Sequence, residues 1–136
     1  MIFTEGEREY LAEHPLGRLG TIGPDGGPQI HPVAFRLNAD GTIDIGGPAL
    51  ARSQKFGNVR ADPRVSFAVD DQAATPNALG QTGRGIEIRG AAETVGGETI
   101  RIHARRIIAW NIGEFGPLPP GREPHLQGYN SRDVSP

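Results

Sequence analysis

Apolar and polar side chains alternate through Arg64-Val65-Ser66-Phe67-Ala68-Val69-Asp70, a pattern typical of a half-buried β-strand. The alternation returns in Ile86–Val95 and in Thr99–His103, and Arg106–Asn111 has the composition of a last strand. The second half of the chain is therefore predicted to be mainly β.

Strands are also predicted before this stretch, separated by turn residues. Gly23–Gly27 and Asn38–Gly41 are strong turn signals, and they divide the region into a three-stranded meander. Its strands are Leu16–Ile22, Gln29–Leu37 and Thr42–Gly46. Pro32 cannot donate to a ladder, so the second of them is expected to lie at an edge, to contain a bulge, or to have another group docked against it.

Helices are predicted at two places. Thr4 and Glu7 have capping-box spacing, which indicates a short helix ending near His14-Pro15, and a second helix is expected from Ala49 to Ala61. Six or seven short strands with one middle helix predict a small, mostly antiparallel β-barrel. We expect the barrel in residues 1–112 and an irregular Gly/Pro-rich tail in residues 113–136.

Composition excludes several classes of protein. The 136 residues carry a net charge of −2 and no cysteine, which excludes thiol chemistry and disulfides and argues against a nucleic-acid surface. The four histidines show no ligand spacing, so no metal site is expected. An acidic N-terminus and the lack of a long apolar run indicate a cytoplasmic protein without a membrane span.

The sole lysine, Lys55, lies one helical turn from Arg52, near the start of the predicted second helix. Unpaired backbone N–H groups and the helix dipole favour an anion at such a position. Arg52, Ser53 and Lys55 are therefore interpreted as a phosphate-binding group. A solvated basic helix face is an equally compatible reading.

No catalytic constellation is visible, which is compatible with redox chemistry if a bound cofactor carries the reaction. Such a protein needs a phosphate-binding group and a flat apolar slot for a ring. We expect the slot between the strand at Pro32-Val33 and the glycines Gly46-Gly47, whose missing side chains allow close approach to the backbone.

Four blocks of the sequence together resemble a known superfamily. They are Leu16–Phe35, Arg52–Phe67, Gly85–Glu93 and Ile100–Trp110. In order and spacing they are similar to the flavin and deazaflavin oxidoreductases of the pyridoxamine 5′-phosphate oxidase-like superfamily, and most similar to its F420-dependent class.

The resemblance implies an FMN-binding-like split β-barrel that forms a homodimer, with two cofactor sites at the subunit interface. It implies that Arg52, Ser53 and Lys55 hold the phosphate, and that His31, Pro32 and Val33 lie along the ring. The cofactor implied is F420, which passes a hydride to a small conjugated or quinone-like substrate. FMN is the alternative cofactor.

Other interpretations of these residues stay open. His31 is at least as compatible with a structural barrel histidine, Asn58 with a helix C-terminal cap, and Trp110 with a core or interface position. The loop Asp71–Gly85 is expected to be mobile or functional. The alternatives to an F420-dependent reductase are an FMN oxidoreductase, a non-catalytic cofactor carrier and a barrel that serves only as an interaction module.

Overall fold

A computed structural model of the chain describes residues 2–113 and 129–134. It contains two α-helices, one 3-10 turn and eight strands. The helices are α1 (Glu5–Glu13) and α2 (Gln54–Ala61), and the 3-10 turn is Leu50–Arg52. The strands are β1 (Leu16–Ile22), β2 (Pro28–Ala34), β3 (Arg36–Leu37), β4 (Ile43–Gly46), β5 (Arg64–Gln72), β6 (Gly83–Val95), β7 (Thr99–Trp110) and β8 (Tyr129–Asp133).

The strands form one antiparallel sheet in the order β2-β1-β5-β6-β7-β4-β3, with β8 added beside β7. Strands β2 and β3 stand at opposite ends of this order, yet only Phe35 separates them in the chain. The sheet must therefore curl until its two ends meet at Phe35. This confirms the predicted mainly β, antiparallel, split-barrel architecture.

The curled sheet encloses one apolar core. The alternating stretch that predicted β5 supplies Val65, Phe67 and Val69 to it, and the inward residues of β6 and β7 complete it. Gly17 on β1 leaves room for the Phe67 ring, because a Cβ there would lie 2.2 Å from its Cζ. Gly17 is thus required by the packing of β1 on Phe67.

The predicted helix from Ala49 to Ala61 is divided in two at Ser53. The residues Leu50–Arg52 form the 3-10 turn, and Ser53 then caps α2. The capping box of α1 is confirmed, since Glu7 N–H donates to Thr4 Oγ1 and Thr4 N–H donates to Glu7 Oε1. Asn58 is not a C-terminal cap, because α2 continues to Ala61 and its C-cap is Asp62.

The strand predictions need three corrections. The predicted second strand, Gln29–Leu37, is divided at Phe35 into β2 and β3, which lie at opposite ends of the sheet; β3 pairs with β4 across the predicted Asn38–Gly41 turn. The two segments predicted after Glu98 are one strand, β7. Tyr129–Asp133 form β8 where an irregular tail was expected, because the second half of β7 offers an edge for pairing. The rest of the predicted tail, residues 114–128 and 135–136, lies outside the described residues.

Candidate functional site

The candidate site is a cleft of about 350 Å³ between β2 and the segment that connects β4 to α2. Six of the seven residues predicted to bind a cofactor line it: His31, Pro32, Val33, Gly46, Ser53 and Lys55. We call this space the main cleft. The fold thus brings the predicted ring slot together with Ser53 and Lys55, two of the three predicted phosphate-binding residues, in one cavity.

Strand β2 provides one wall of the main cleft and is an edge strand, which is one of the three alternatives that Pro32 indicated. Among the described strands it pairs only with β1, where Pro32 stands opposite Arg18. One backbone edge of β2 is therefore not used by strand pairing. Its register places His31 opposite Leu19 and Val33 opposite Gly17. Because side chains alternate, His31 and Val33 share one face of the sheet and Pro32 lies on the other.

Gly46 and Gly47 form the opposite wall. A Cβ atom built on either residue meets no other atom within 4 Å, so each glycine faces open space. Gly47 also has a φ of 154°, a conformation that residues with a side chain rarely adopt. These two positions fit a flat ring that approaches the backbone closely.

Lys55 lines the main cleft and is half-buried. In the part of the chain that the structure describes, no carboxylate pairs with its ammonium group. The backbone N–H groups of Gln54 and Lys55, in the first turn of α2, likewise meet no acceptor among the described residues. A cation and the positive end of a helix therefore face the same space without a counter-charge.

The other two predicted phosphate ligands are placed differently. Ser53 Oγ donates to the Leu50 carbonyl oxygen at 2.6 Å and accepts from Phe56 N–H at 3.3 Å, so its one proton already serves the helix cap. Arg52 belongs to the 3-10 turn and is exposed. It lies beside the main cleft in sequence but is not one of its lining residues.

A second cleft of about 350 Å³ continues from the first and shares His31, Ser53 and Lys55 with it. Its further lining residues, which sequence reasoning missed, are Leu19, Thr21, Gln29, Ile30 and Gln54. For Gln54 the sequence offered one signal. Gln54 and Asn58 are four residues apart, and such a pair shares a helix face.

A third cleft of about 290 Å³ opens at the other end of the main cleft, with which it shares Ala34 and Gly46. It is also lined by Phe35, Arg36 and Asp44. Hydrogen bonds from the Arg101 guanidinium, at 2.8 and 3.0 Å, hold the pKa of Asp44 below its usual value. The three clefts follow one another along β2 and its continuation into β3.

Asp71, near the end of β5, is the centre of a polar cluster. Its carboxylate accepts from Arg84 Nε at 2.8 Å, from Tyr10 Oη at 2.7 Å and from His14 Nε2 at 3.1 Å. The bond from Arg84 is the main cause of a pKa of Asp71 far below its usual value. Burial, followed by the bond to Asp71, raises the pKa of Tyr10. The cluster fixes α1 against β5 and β6.

The loop between β5 and β6, predicted as mobile or functional, is held by buried amides. Asn77 Oδ1 accepts from the backbone N–H groups of Leu79 and Gln81, at 3.0 and 2.9 Å. Asn111 donates to the Gly83 carbonyl oxygen at 2.8 Å and joins the loop to the end of β7. These bonds give the loop a structural anchor that its composition did not indicate.

Two absences apply to residues 2–113 and 129–134. Within them, no group of three or more histidine, cysteine or acidic side chains is arranged to hold a metal ion. No helix among them is both long and apolar enough to cross a membrane.

Two comparisons by sequence match the chain to known proteins. The family model of pyridoxamine 5′-phosphate oxidase matches residues 3–124. A 5a,11a-dehydrotetracycline/5a,11a-dehydrooxytetracycline reductase of Streptomyces rimosus is 40% identical, with 82% of this chain and 85% of the relative covered.

Solved structures give the same fold. An F420 reductase superposes with a TM-score of 0.51 and 26% identity, covering 68% of this chain and 65% of that one. An FAD-binding protein of Mycobacterium smegmatis gives a TM-score of 0.60 at 18% identity, covering 78% of this chain and 92% of that one. At 18% identity, the similarity to the FAD-binding protein is a similarity of fold alone.

Proposed function

The chain belongs to the pyridoxamine 5′-phosphate oxidase family, and from this membership we propose that it is an F420-dependent reductase of a small conjugated substrate. The broader conclusion, that the chain is an oxidoreductase, is supported by the 40% identical reductase. The F420 reductase among the similar structures, at 26% identity, favours the deazaflavin over a flavin.

One observation supports a phosphate-bearing cofactor above the others. Lys55 is half-buried in the main cleft, at the first turn of α2, and no acidic side chain among the described residues pairs with it. A half-buried cation without a partner is costly unless a ligand supplies the counter-charge. Lys55 and the N–H groups of Gln54 and Lys55 are suited to a phosphate, with Arg52 as an exposed second cation.

The residues of the main cleft also fit a ring system. The ring would lie between β2, at His31, Pro32 and Val33, and the open backbone at Gly46 and Gly47. The free backbone edge of β2 offers donors and acceptors to the polar edge of the ring. When bound, the cofactor supplies the hydride-transfer chemistry. The residues of this chain bind it, orient it and exclude water from one of its faces.

We propose that the third cleft holds the substrate, because it meets the main cleft at Ala34 and Gly46. Phe35 offers an apolar surface there, and Arg36 adds a positive charge. The name of the Streptomyces rimosus relative makes dehydrotetracycline-type compounds the first substrates to test.

A homodimer belongs to the same proposal. Strand β2 is exposed at six of its seven positions, and its Ile30 side chain is 72% exposed. A second copy packed over β2 would remove this apolar surface from water and close the cleft. Sedimentation equilibrium tests this directly: a dimer is expected, and a monomer at micromolar concentration would contradict it.

The experiment that tests the cofactor assignment is titration of the cofactor-free protein with F420 and with FMN, followed by the fluorescence of Trp110. Tighter binding of F420 supports the proposal, and turnover of a dehydrotetracycline by reduced F420 then separates a reductase from a carrier. Tighter binding of FMN would instead support the flavin oxidoreductase. Binding of neither cofactor would contradict the assignment of a phosphate to Lys55.

A further inference from the structure

Arg36 lines the third cleft directly after Phe35, the residue that joins β2 to β3. The Arg36 side chain is 78% exposed. Phe35 is half-buried, and its ring packs edge-on against Phe67 of the core, with 5.0 Å between the ring centroids and 76° between the ring planes. An apolar ring that is held by the core therefore stands next to a cation that is open to solvent.

Arg36 belongs to a row of three charged residues on neighbouring strands. The register of β3 and β4 places Arg36 opposite Asp44, and the register of β4 and β7 places Asp44 opposite Arg101. Side chains at directly opposed positions lie on the same face of a sheet. The central carboxylate belongs to a residue that is only 8% exposed, and it is flanked by two guanidinium groups.

The two arginines share Asp44 unequally. Arg101 donates from Nε to Oδ1 at 2.8 Å and from Nη2 to Oδ2 at 3.0 Å, a bidentate pair that engages both carboxylate oxygens. Arg36 Nη2 stays 3.6 Å from Oδ2, which is beyond hydrogen-bond distance. Arg101 therefore supplies the main counter-charge of Asp44. The side-chain N–H donors of Arg36 have no hydrogen-bond acceptor among the residues that the structure describes.

This arrangement decides which chemistry the third cleft offers to a ligand. Among the described residues that line it, Arg36 and Asp44 are the charged ones. Because Arg101 compensates the charge of Asp44, the unused hydrogen-bonding capacity of the cleft is that of Arg36. A guanidinium group binds a negatively charged oxygen more strongly than a neutral one. Phe35 beside it presents an apolar surface suited to a flat conjugated system.

We propose that the third cleft selects conjugated substrates that carry an ionised oxygen, such as an enolate or a phenolate, and that Arg36 recognises this oxygen. This inference rests on the proposed function, in which the third cleft holds the substrate. Phe35 contacts the conjugated plane, and Arg36 donates hydrogen bonds to the anion at its edge. Arg36 is thus a specificity-determining residue for the substrate and takes no part in holding the cofactor.

Two naphthoquinones of similar size provide the test. Lawsone carries a hydroxyl group that is ionised at neutral pH, and menadione carries a methyl group and is neutral. Calorimetric titration measures the binding of each quinone to the full chain, with oxidised F420 or FMN and without either, so that no turnover occurs. The wild type is compared with Arg36→Ala, Arg36→Lys and Arg64→Ala. Arg64 is the matched control, because it is 75% exposed on β5 and lines none of the three clefts.

Arg36→Ala is expected to lower the affinity for lawsone relative to menadione by about 5- to 10-fold, between the effect of an exposed ion pair and that of a hydrogen bond to a charged group. Arg36→Lys should retain part of this preference, because it keeps the charge and loses the planar fork. Arg64→Ala should retain all of it. Added salt should reduce the difference between the wild type and Arg36→Ala, because the contact is near the surface.

An unchanged ratio of the two affinities in Arg36→Ala would overturn the inference. A decrease of the same size in Arg64→Ala would also overturn it, since net charge and not a specific contact would then be the cause. Binding of neither quinone would overturn it and would remove the substrate from the third cleft. Failure of the proposed function gives a different result: the protein would discriminate between the quinones through Arg36 and yet bind neither F420 nor FMN.

Discussion

Arg132 on the last strand is half-buried and pairs with the buried carboxylate of Glu7 on the first helix, with Nη2 2.5 Å from Oε1. Glu7 is 2% exposed, and Arg132 also donates to the Ile2 carbonyl oxygen at 2.8 Å. The pair joins β8 to α1 across nearly the whole length of the chain. Because Glu7 also caps α1, one carboxylate serves both the helix start and the closing strand.

Arg132→Ala is expected to lower the free energy of unfolding by about 3 kcal/mol, because it leaves a buried carboxylate without its partner. Arg106→Ala is the matched control, since Arg106 pairs with Asp133 at the same β7–β8 junction but on the exposed surface. Arg106→Ala should lower the free energy of unfolding by less than about 1 kcal/mol. Urea unfolding measures the free energy of unfolding of both variants. An equal decrease in the two would contradict a larger contribution from the pair with the buried carboxylate.

Lys55→Ala is expected to weaken cofactor binding by about 1.5–3 kcal/mol, the usual contribution of a hydrogen bond to a charged group. Arg60→Ala removes a cation from the last turn of the same helix, away from the clefts, and should leave binding unchanged. Lys55→Arg is not expected to restore full affinity, because a planar fork and a compact ammonium contact a phosphate differently. Fluorescence titration measures the cofactor affinity of all three variants. If Lys55→Ala binds the cofactor as tightly as the wild type, Lys55 is not the phosphate ligand.

The two glycines of the main cleft should separate stability from binding. Gly46→Ala adds a methyl group to open space without a positive φ, so the fold should keep its stability while the ring binds less tightly. Gly47→Ala should lower the free energy of unfolding by about 1–3 kcal/mol, because its φ is strained for alanine. Thermal unfolding and cofactor titration of both variants are the measurements. A Gly46→Ala protein that binds cofactor normally would show that the ring does not approach this backbone.

The Asp71 cluster predicts a dependence of stability on pH. The pKa of Asp71 lies far below its usual 3.8 in the folded protein, chiefly because of Arg84. The unfolded chain therefore binds the proton first as pH falls, so the contribution of Asp71 is complete above the usual value and decreases below it. The stability difference between the wild type and Asp71→Asn should shrink from about pH 4 downward. Urea unfolding across this range tests it, and parallel pH profiles for the two proteins would contradict it.

Local patterns were sufficient for much of the architecture. Alternation in Arg64–Asp70 predicted β5, and Thr4 and Glu7 predicted the start of α1. Pro32 indicated an edge strand as one of three alternatives. The position of the sole lysine, together with Gly46 and the strand at His31–Val33, indicated residues that do share one cleft. The choice of F420, the phosphate role of Lys55 and the dimer stay predictions.

Tertiary structure decided what depends on residues far apart in the chain. Strand β8 has no apolar alternation and exists because β7 leaves an edge beside it. Asn58 was interpreted as a cap, yet it is a buried amide that joins α2 to β1 and β2, because these strands place Thr21 and Gln29 within its reach. The sequence by itself determined the positions of α1, β1, β5 and β6, since periodicity and capping act over a few residues. Only the curled sheet determined which side chains meet, because hydrogen bonds and ion pairs require distances that a linear pattern does not contain.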